Sequence, residues 1–214
     1  MTDNPDATTD GRSRQQRVGE ALREDTRRRI LAAAGAEFAA HGYRAATVAK
    51  LAAAAGVSVQ TLYLAWGSKR ALLRAWTEAA IAGDAAEPDD AAARFGDDLT
   101  AGARIDLIAE IFIEVAGRAA TAWAVYRDAA GVDPEIADDW DDLQRRRHGL
   151  FTRLVGGVSD LAPGLSPSEA VDTAWAIASP ETYDLLVRRR GYSLEGFRAW
   201  VSRSLRAALL APAT

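Results

Sequence analysis

Thr47 and Ser58 stand eleven residues apart, and what lies between them leaves the chain few choices. Both are residue types that cap a helix N-terminus, and Gly56-Val57 marks a sharp stop just before the second cap. Val48, Leu51, Ala52 and Ala55 fall at i, i+3, i+4 and i+7, one apolar face of a very short helix. A second short helix, about Val59 to Ala65, follows, with Val57 and Leu62 spaced to staple its start. The small side chains from Ala52 to Ala55 let the two helices approach closely. The spacing predicts helix, glycine turn, helix. An ordinary helical hairpin shares this pattern. The functional alternative is a second helix that projects its N-terminal residues into a DNA major groove about 12 Å wide.

The flanks repeat the helical signal. Asp25 or Thr26 is predicted to cap a helix running to His41, with Ile30, Ala34 and Phe38 as its apolar stripe and Gly42 as its stop. Gly67 breaks the next helix, Ser68 caps, and another runs from Lys69 to about Ile81. Residues 83–90 read as a linker. Further helices are expected near 91–101, 104–130, 134–156, 167–178, 180–190 and 194–210, several with a cap followed by proline, as at Asp133-Pro134, Ser166-Pro167 and Ser179-Pro180. Alanine supplies 47 of 214 residues, and few segments read as β-branched strands, so the expected class is all-α. The expected organisation is a disordered basic arm over 1–20, a helix-turn-helix domain over 21–68, a connecting helix over 69–82 and a larger helical domain over 83–214.

The net charge of −4 conceals an asymmetry. Residues 11–76 carry 12 Lys/Arg against 4 Asp/Glu, and residues 81–214 carry 14 against 22. A basic first third joined to an acidic remainder points to a polyanion-binding module attached to something else. There is no Cys, which excludes disulfides, thiolate metal sites and cysteine nucleophiles, and two His do not support a His-rich metal site. No nucleotide-binding, zinc-protease or serine-hydrolase motif occurs, so no enzymatic activity, cofactor or metal is expected. No apolar run reaches a membrane span and the N-terminus lacks a signal-peptide core; a cytoplasmic protein without a membrane partner is expected. The rival readings are a helical adaptor that binds protein through the same motif and, with least support, an all-α enzyme using carboxylates.

The run TRRRILAAAGAEFAAHGYRAATVAKLAAAAGVSVQTLYLAWGSKRALLRA, residues 26–75, resembles the DNA-binding domain of the TetR family of bacterial transcriptional repressors. The resemblance is carried by Ile30 and Phe38, His41-Gly42-Tyr43, Thr47-Val48-Ala49, Ala54-Ala55-Gly56-Val57-Ser58, Thr61-Leu62-Tyr63 and Ser68-Lys69-Arg70-Ala71-Leu72-Leu73. Residues 169–205 resemble the C-terminal end of many members. The departure is Leu64-Ala65-Trp66, where members commonly have a polar residue, then tyrosine and phenylalanine. Trp66 keeps the bulky anchor; Leu64 and Ala65 remove groups that often touch DNA. The resemblance implies a homodimer on a near-palindromic double-stranded operator, released when a small-molecule effector binds the larger domain.

Residue roles follow as expectations. Val59, Gln60, Thr61 and Tyr63 face outward early in the recognition helix, with Gln60 suited to adenine and the Val59 and Thr61 methyls to thymine. Thr47 and Ser58 cap and also meet phosphate, and Lys69 at a helix start suits phosphate. Lys50, Leu64 and Trp66 complete the expected DNA-facing set. Arg12, Arg14 and Arg17 form a flexible arm for a minor groove. Phe112, Trp123, Tyr126, Trp140, Phe151 and Trp175 are the expected pocket lining. Almost no buried cation is expected there, so the effector should be apolar or amphipathic and neutral or cationic, with Glu114 as charge partner. Asp138-Asp139 and Asp141-Asp142, continued by Arg145 to Arg147, read as a solvated face. Ala174, Ile177, Phe197, Trp200, Val201 and Leu205 are assigned to dimerisation because the resembled family builds its interface from its last helices.

Overall fold

The structure is a computed structural model, and it describes residues 14–83 and 99–211. Arg12, most of the 83–90 linker and the helix expected over 91–101 up to residue 98 lie outside the described residues. The helices are α1 (Arg14–Ala45), α2 (Val48–Ala54), α3 (Val59–Trp66), α4 (Lys69–Ala82), α5 (Ala101–Ala130), α6 (Pro134–Val155), α7 (Pro167–Ile177), α8 (Pro180–Tyr183) and α9 (Leu194–Leu209). A π-helical turn, Asp184–Arg189, continues α8 where a longer regular helix was expected. Among the described residues there is no strand, and no single helix is long and apolar enough to cross a membrane.

Short-range chemistry sets most helix starts. The side chains of Thr47, Ser58, Ser68, Asp133, Ser166, Ser179 and Ser193 each accept a bond from a backbone N–H in the first turn that follows. The start of α1 differs from expectation. It begins at Arg14, so residues 14–20 are helical rather than a disordered arm. Asp25 and Thr26 are interior positions: Thr26 donates to the Leu22 carbonyl at 2.9 Å, and Asp25 pairs with Arg28 and Arg29. Both groups find partners inside the helix, so neither stops it. α1 kinks at Gly42 (φ 74°, ψ 168°) and ends one turn later.

Two apolar cores form. The first gathers Ile30, Ala34 and Phe38 of α1 with Leu51, Leu62, Leu72 and Leu73 from the next three helices. The second gathers α5, the end of α6, α7 and α9 around Ile105, Ile108, Phe112, Phe197 and Val201. They are not separated at residue 83. Tyr126, Ala129 and Ile136, from the end of α5 and the start of α6, are buried in the first core, and Trp140 packs against both. The cause is helix length: α5 is long enough to run from one core into the other.

Close approach of α1 and α4 tightens the first core. A Cβ at Gly35 would meet Trp76 Nε1 at 2.5 Å, and the Trp76 ring lies 5.8 Å from that of Phe38. Only glycine leaves room for the indole there.

Candidate nucleic-acid interface and effector cavity

α2 and α3 bend by 96° relative to each other, the geometry of a helix-turn-helix. The turn is made by Gly56 at φ 65°, a left-handed conformation that glycine adopts without strain. It closes with Val57 N–H donating to the Ala52 carbonyl at 3.0 Å. Leu62 fixes α3 from beneath, fully buried. The opposite side of α3 is open: Val59, Gln60, Tyr63 and Leu64 are exposed, Leu64 at 81%. α3 itself has no charged side chain. Exposed positive charge lies on the neighbouring segments, at Arg27, Arg28 and Arg29 of α1, at Arg44 and at Lys50, and Arg27 reaches α3 itself at the Ala65 carbonyl.

The rest of the expected DNA set divides by what each side chain touches. Thr47 is exposed and caps α2, and Ser58 Oγ accepts from Thr61 N–H at 3.0 Å while bonding the Thr61 hydroxyl at 2.8 Å. Lys50 donates to the Ala45 carbonyl at 3.2 Å and remains exposed. Trp66 turns away from the open face. Its Nε1–H donates to the Arg27 carbonyl at 3.3 Å, the Arg27 guanidinium lies 4.2 Å above its ring, and Arg27 also bonds the Ala65 carbonyl. Trp66 positions α3 against α1, which corrects its place in the DNA-facing set: its one donor is already used. Lys69 is half-buried, 3.9 Å over the Tyr43 ring and bonded to the Tyr43 carbonyl at 3.0 Å. Burial lowers its pKa, with Asp133 opposing, and burial first raises that of Tyr43. Arg17 is exposed on α1 rather than on a flexible arm.

Beyond α4 lies a cavity of about 780 Å³, within the usual range for small-molecule sites. α4 supplies Glu78, Ile81 and Ala82; α5 supplies Ile108, Phe112, Val115 and Trp123; α6 supplies Trp140, Leu143, Arg147, Leu150 and Phe151. Of the expected lining, Phe112, Trp123, Trp140 and Phe151 are present, and Tyr126 and Trp175 are not. Tyr126 belongs to the first core against Trp140, and Trp175 packs under His148 and Arg147 between α6 and α7. Burial, then Asp139, raises the Tyr126 pKa. The expectation of a cation-free wall is overturned. Arg146, Arg147 and Arg153 line the cavity with Glu78, while Glu114 is exposed and outside the lining.

Two charged groups of α6 depart from the expected solvated face. Asp139 turns in to Arg70, and Arg147 turns in to the cavity. Helical phase carried the signal, since Trp140, Leu143, Arg147, Leu150 and Leu154 repeat at three and four. Arg70, absent from the expected site, joins α4 to α6 through both Asp139 and Glu135.

The dimerisation set also changes. Ala174, Phe197, Val201 and Leu205 are fully buried in the second core of one chain. Ile177 and Trp200 stay half-buried at its edge. An apolar stripe announces a buried face but not what buries it, and here the same chain does.

Residues 30–76 match the family model for bacterial regulatory proteins of the tetR family. That segment is a DNA-binding domain of the TetR family. The domain is thus a DNA-binding one, with α2–α3 as its helix-turn-helix. A search of curated proteins gives no match. The fold is similar along most of its length to several solved structures. One is NalD, the secondary repressor of the MexAB-OprM multidrug efflux pump in Pseudomonas aeruginosa, at 18% identity, TM-score 0.69, covering 89% of this chain and 98% of that one. Another is a TetR-like transcriptional regulator from Rhodococcus sp. RHA1, at 19%, TM-score 0.62, covering 87% and 96%. A third, described as a transcriptional regulator from Saccharomonospora viridis, was solved in complex with choline and shares 18% identity, TM-score 0.66, covering 87% and 98%. At these identities the likeness is one of fold.

Proposed function

We propose that the chain is a ligand-responsive repressor that binds a two-fold symmetric operator as a homodimer and leaves it when a small apolar or amphipathic effector fills the cavity. The carrying observation is the course of α4. Its first turn is tied to the end of α1, just before the DNA-reading helices, through Lys69 and Tyr43, and to α6 through Arg70, and its last turn lines the cavity. A ligand that favours one spacing of α4 and α6 biases the reading head by its difference in affinity for the two states. NalD, a repressor of this fold, supports the sign of regulation, and the choline complex supports a small-molecule site. Ala176 and Ala207, exposed on α7 and α9, with half-buried Ile177 and Trp200, are the surface offered to a second copy.

Gln60 is the reader of adenine, with Val59 and Thr61 beside it; Thr47, Ser58, Lys50 and Lys69 supply phosphate-side contacts. Footprinting on the DNA upstream of the gene tests the reading. Two protected half-sites about 34–36 Å apart are expected. Binding without sequence preference at moderate salt overturns it. The adaptor reading predicts no salt-sensitive duplex binding, since phosphate contacts release counterions.

A further inference from the structure

We infer that the cavity takes an organic anion on an apolar body, a carboxylate or its charge equivalent, with Arg147 as the group that receives the charge. This rests on the effector reading above and names the effector's class. Arg147 sits midway along α6 in the cavity wall. Nη1 donates to Gln144 Oε1 at 3.3 Å, and Nη2 donates to the carbonyls of Trp175 at 2.5 Å and Ala178 at 3.2 Å. The rings of Phe151 and Trp175 lie 5.4 and 5.0 Å from its guanidinium carbon. Every one of these partners is neutral. Among the described residues no carboxylate lies within ion-pair distance of Arg147, and its Nε is buried with no acceptor.

The neighbouring charges are already engaged. Glu78, the carboxylate of the lining, bonds Arg74 at 3.0 Å and lies 3.7 Å from Arg146, which also pairs with Asp142. A desolvated cation with no carboxylate in contact is costly, and the cost appears as a pKa lowered to about 10 by burial, against a smaller opposing effect of Glu181, which lies 3.7 Å from Arg127. An entering anion removes that cost, whereas an entering cation adds to it. Ile108, Phe112, Val115, Trp123, Trp140 and Leu150 furnish the apolar remainder of the site. Arg147 also closes the carbonyl end of α7, but that structural task needs only Nη2 and confers no preference among ligand charges.

Matched ten-carbon probes test this: decanoate, 1-decanol and decyltrimethylammonium below their micelle concentrations, read by quenching of the cavity tryptophans near neutral pH. Decanoate should bind about tenfold tighter than decanol, with the ammonium weakest. Arg147→Met should erase the decanoate preference and leave decanol within about threefold. Arg147→Lys, which keeps the charge, should retain the preference, and it decides the matter with the wild type where the Met variant fails to fold. Equal binding of the three probes, tightest binding of the ammonium, no binding of any, or a preference that survives in Arg147→Met overturns the inference. Operator release is scored separately. Charge-selective binding without release overturns the switch reading and leaves the anion site standing.

Discussion

Arg70 grips Asp139 with two parallel bonds, Nε to Oδ2 at 2.5 Å and Nη2 to Oδ1 at 2.8 Å, and its third arm reaches Glu135 at 2.6 Å. A planar, bidentate pair fixes angle as well as distance. Arg70 is the second residue of α4 and Asp139 lies in the second turn of α6, so the pair sets how the reading head meets the cavity wall.

The first prediction concerns acid. Hydrogen bonds from Arg70, followed by its charge and that of Arg74, hold the Asp139 carboxyl below its ordinary value of 3.8 against a smaller opposing effect of burial. A pKa lower in the folded than in the unfolded state stabilises above the unfolded value, and the effect is lost as pH falls through the folded one. The melting-temperature gap between wild type and Asp139→Asn should hold from neutral pH down to about 4 and close below it. A gap that closes near neutrality contradicts the assignment.

Gln60 and Lys69 should separate in two assays. Gln60 is exposed, so Gln60→Ala should leave the melting temperature unchanged and cost about 1–3 kcal/mol at one base position. Lys69 is held by the ring and carbonyl of Tyr43, so Lys69→Ala should lose about 0.5–2 kcal/mol of stability and weaken all duplexes alike. Competition binding with single-base operator variants, beside thermal melts, reads both.

Oligomer state should follow surface position. Val201 and Leu205 are fully buried, so Val201→Glu with Leu205→Glu should unfold the chain, each charge costing several kcal/mol, rather than yield soluble monomers. Ala176→Arg with Ala207→Arg, on exposed positions, should give folded monomers by sedimentation. A folded double-Arg variant that remains dimeric places the interface elsewhere.

Gly35→Ala sets two known effects against each other. Alanine in a helix interior gains about 1 kcal/mol over glycine. The added Cβ would stand 2.5 Å from the rigid Trp76 ring, and overpacking of this kind costs about 1–3 kcal/mol. Net destabilisation is expected in a denaturant titration, with Trp76→Phe restoring part of it.

Legibility followed the range of the physics. Thr47, Ser58 and Ser68 could be read as caps because capping acts within three residues, and the same holds for Asp133 and Ser166. Asp25 and Thr26 misled because those side chains also find partners inside a helix, at Arg28, Arg29 and the Leu22 carbonyl. The outward face of α3 follows from the phase of Leu62. Arg147 was legible by phase and obscured by its charge class. Nothing local distinguishes Val201 packed within its own chain from Val201 packed on a partner, nor Tyr126 in one core from Tyr126 in the other. Those choices depend on residues far away in sequence, as does the pairing of Arg70 with Asp139.

Asp139 and Arg147 share one helix, eight residues apart, which is about 12 Å along its axis. One end of that stretch is clamped to α4 by Arg70, and the other faces the cavity. α6 is therefore a single lever with its fulcrum at the clamp, and a push on the cavity side that turns the helix is delivered to the first turn of α4 without passing through any loop.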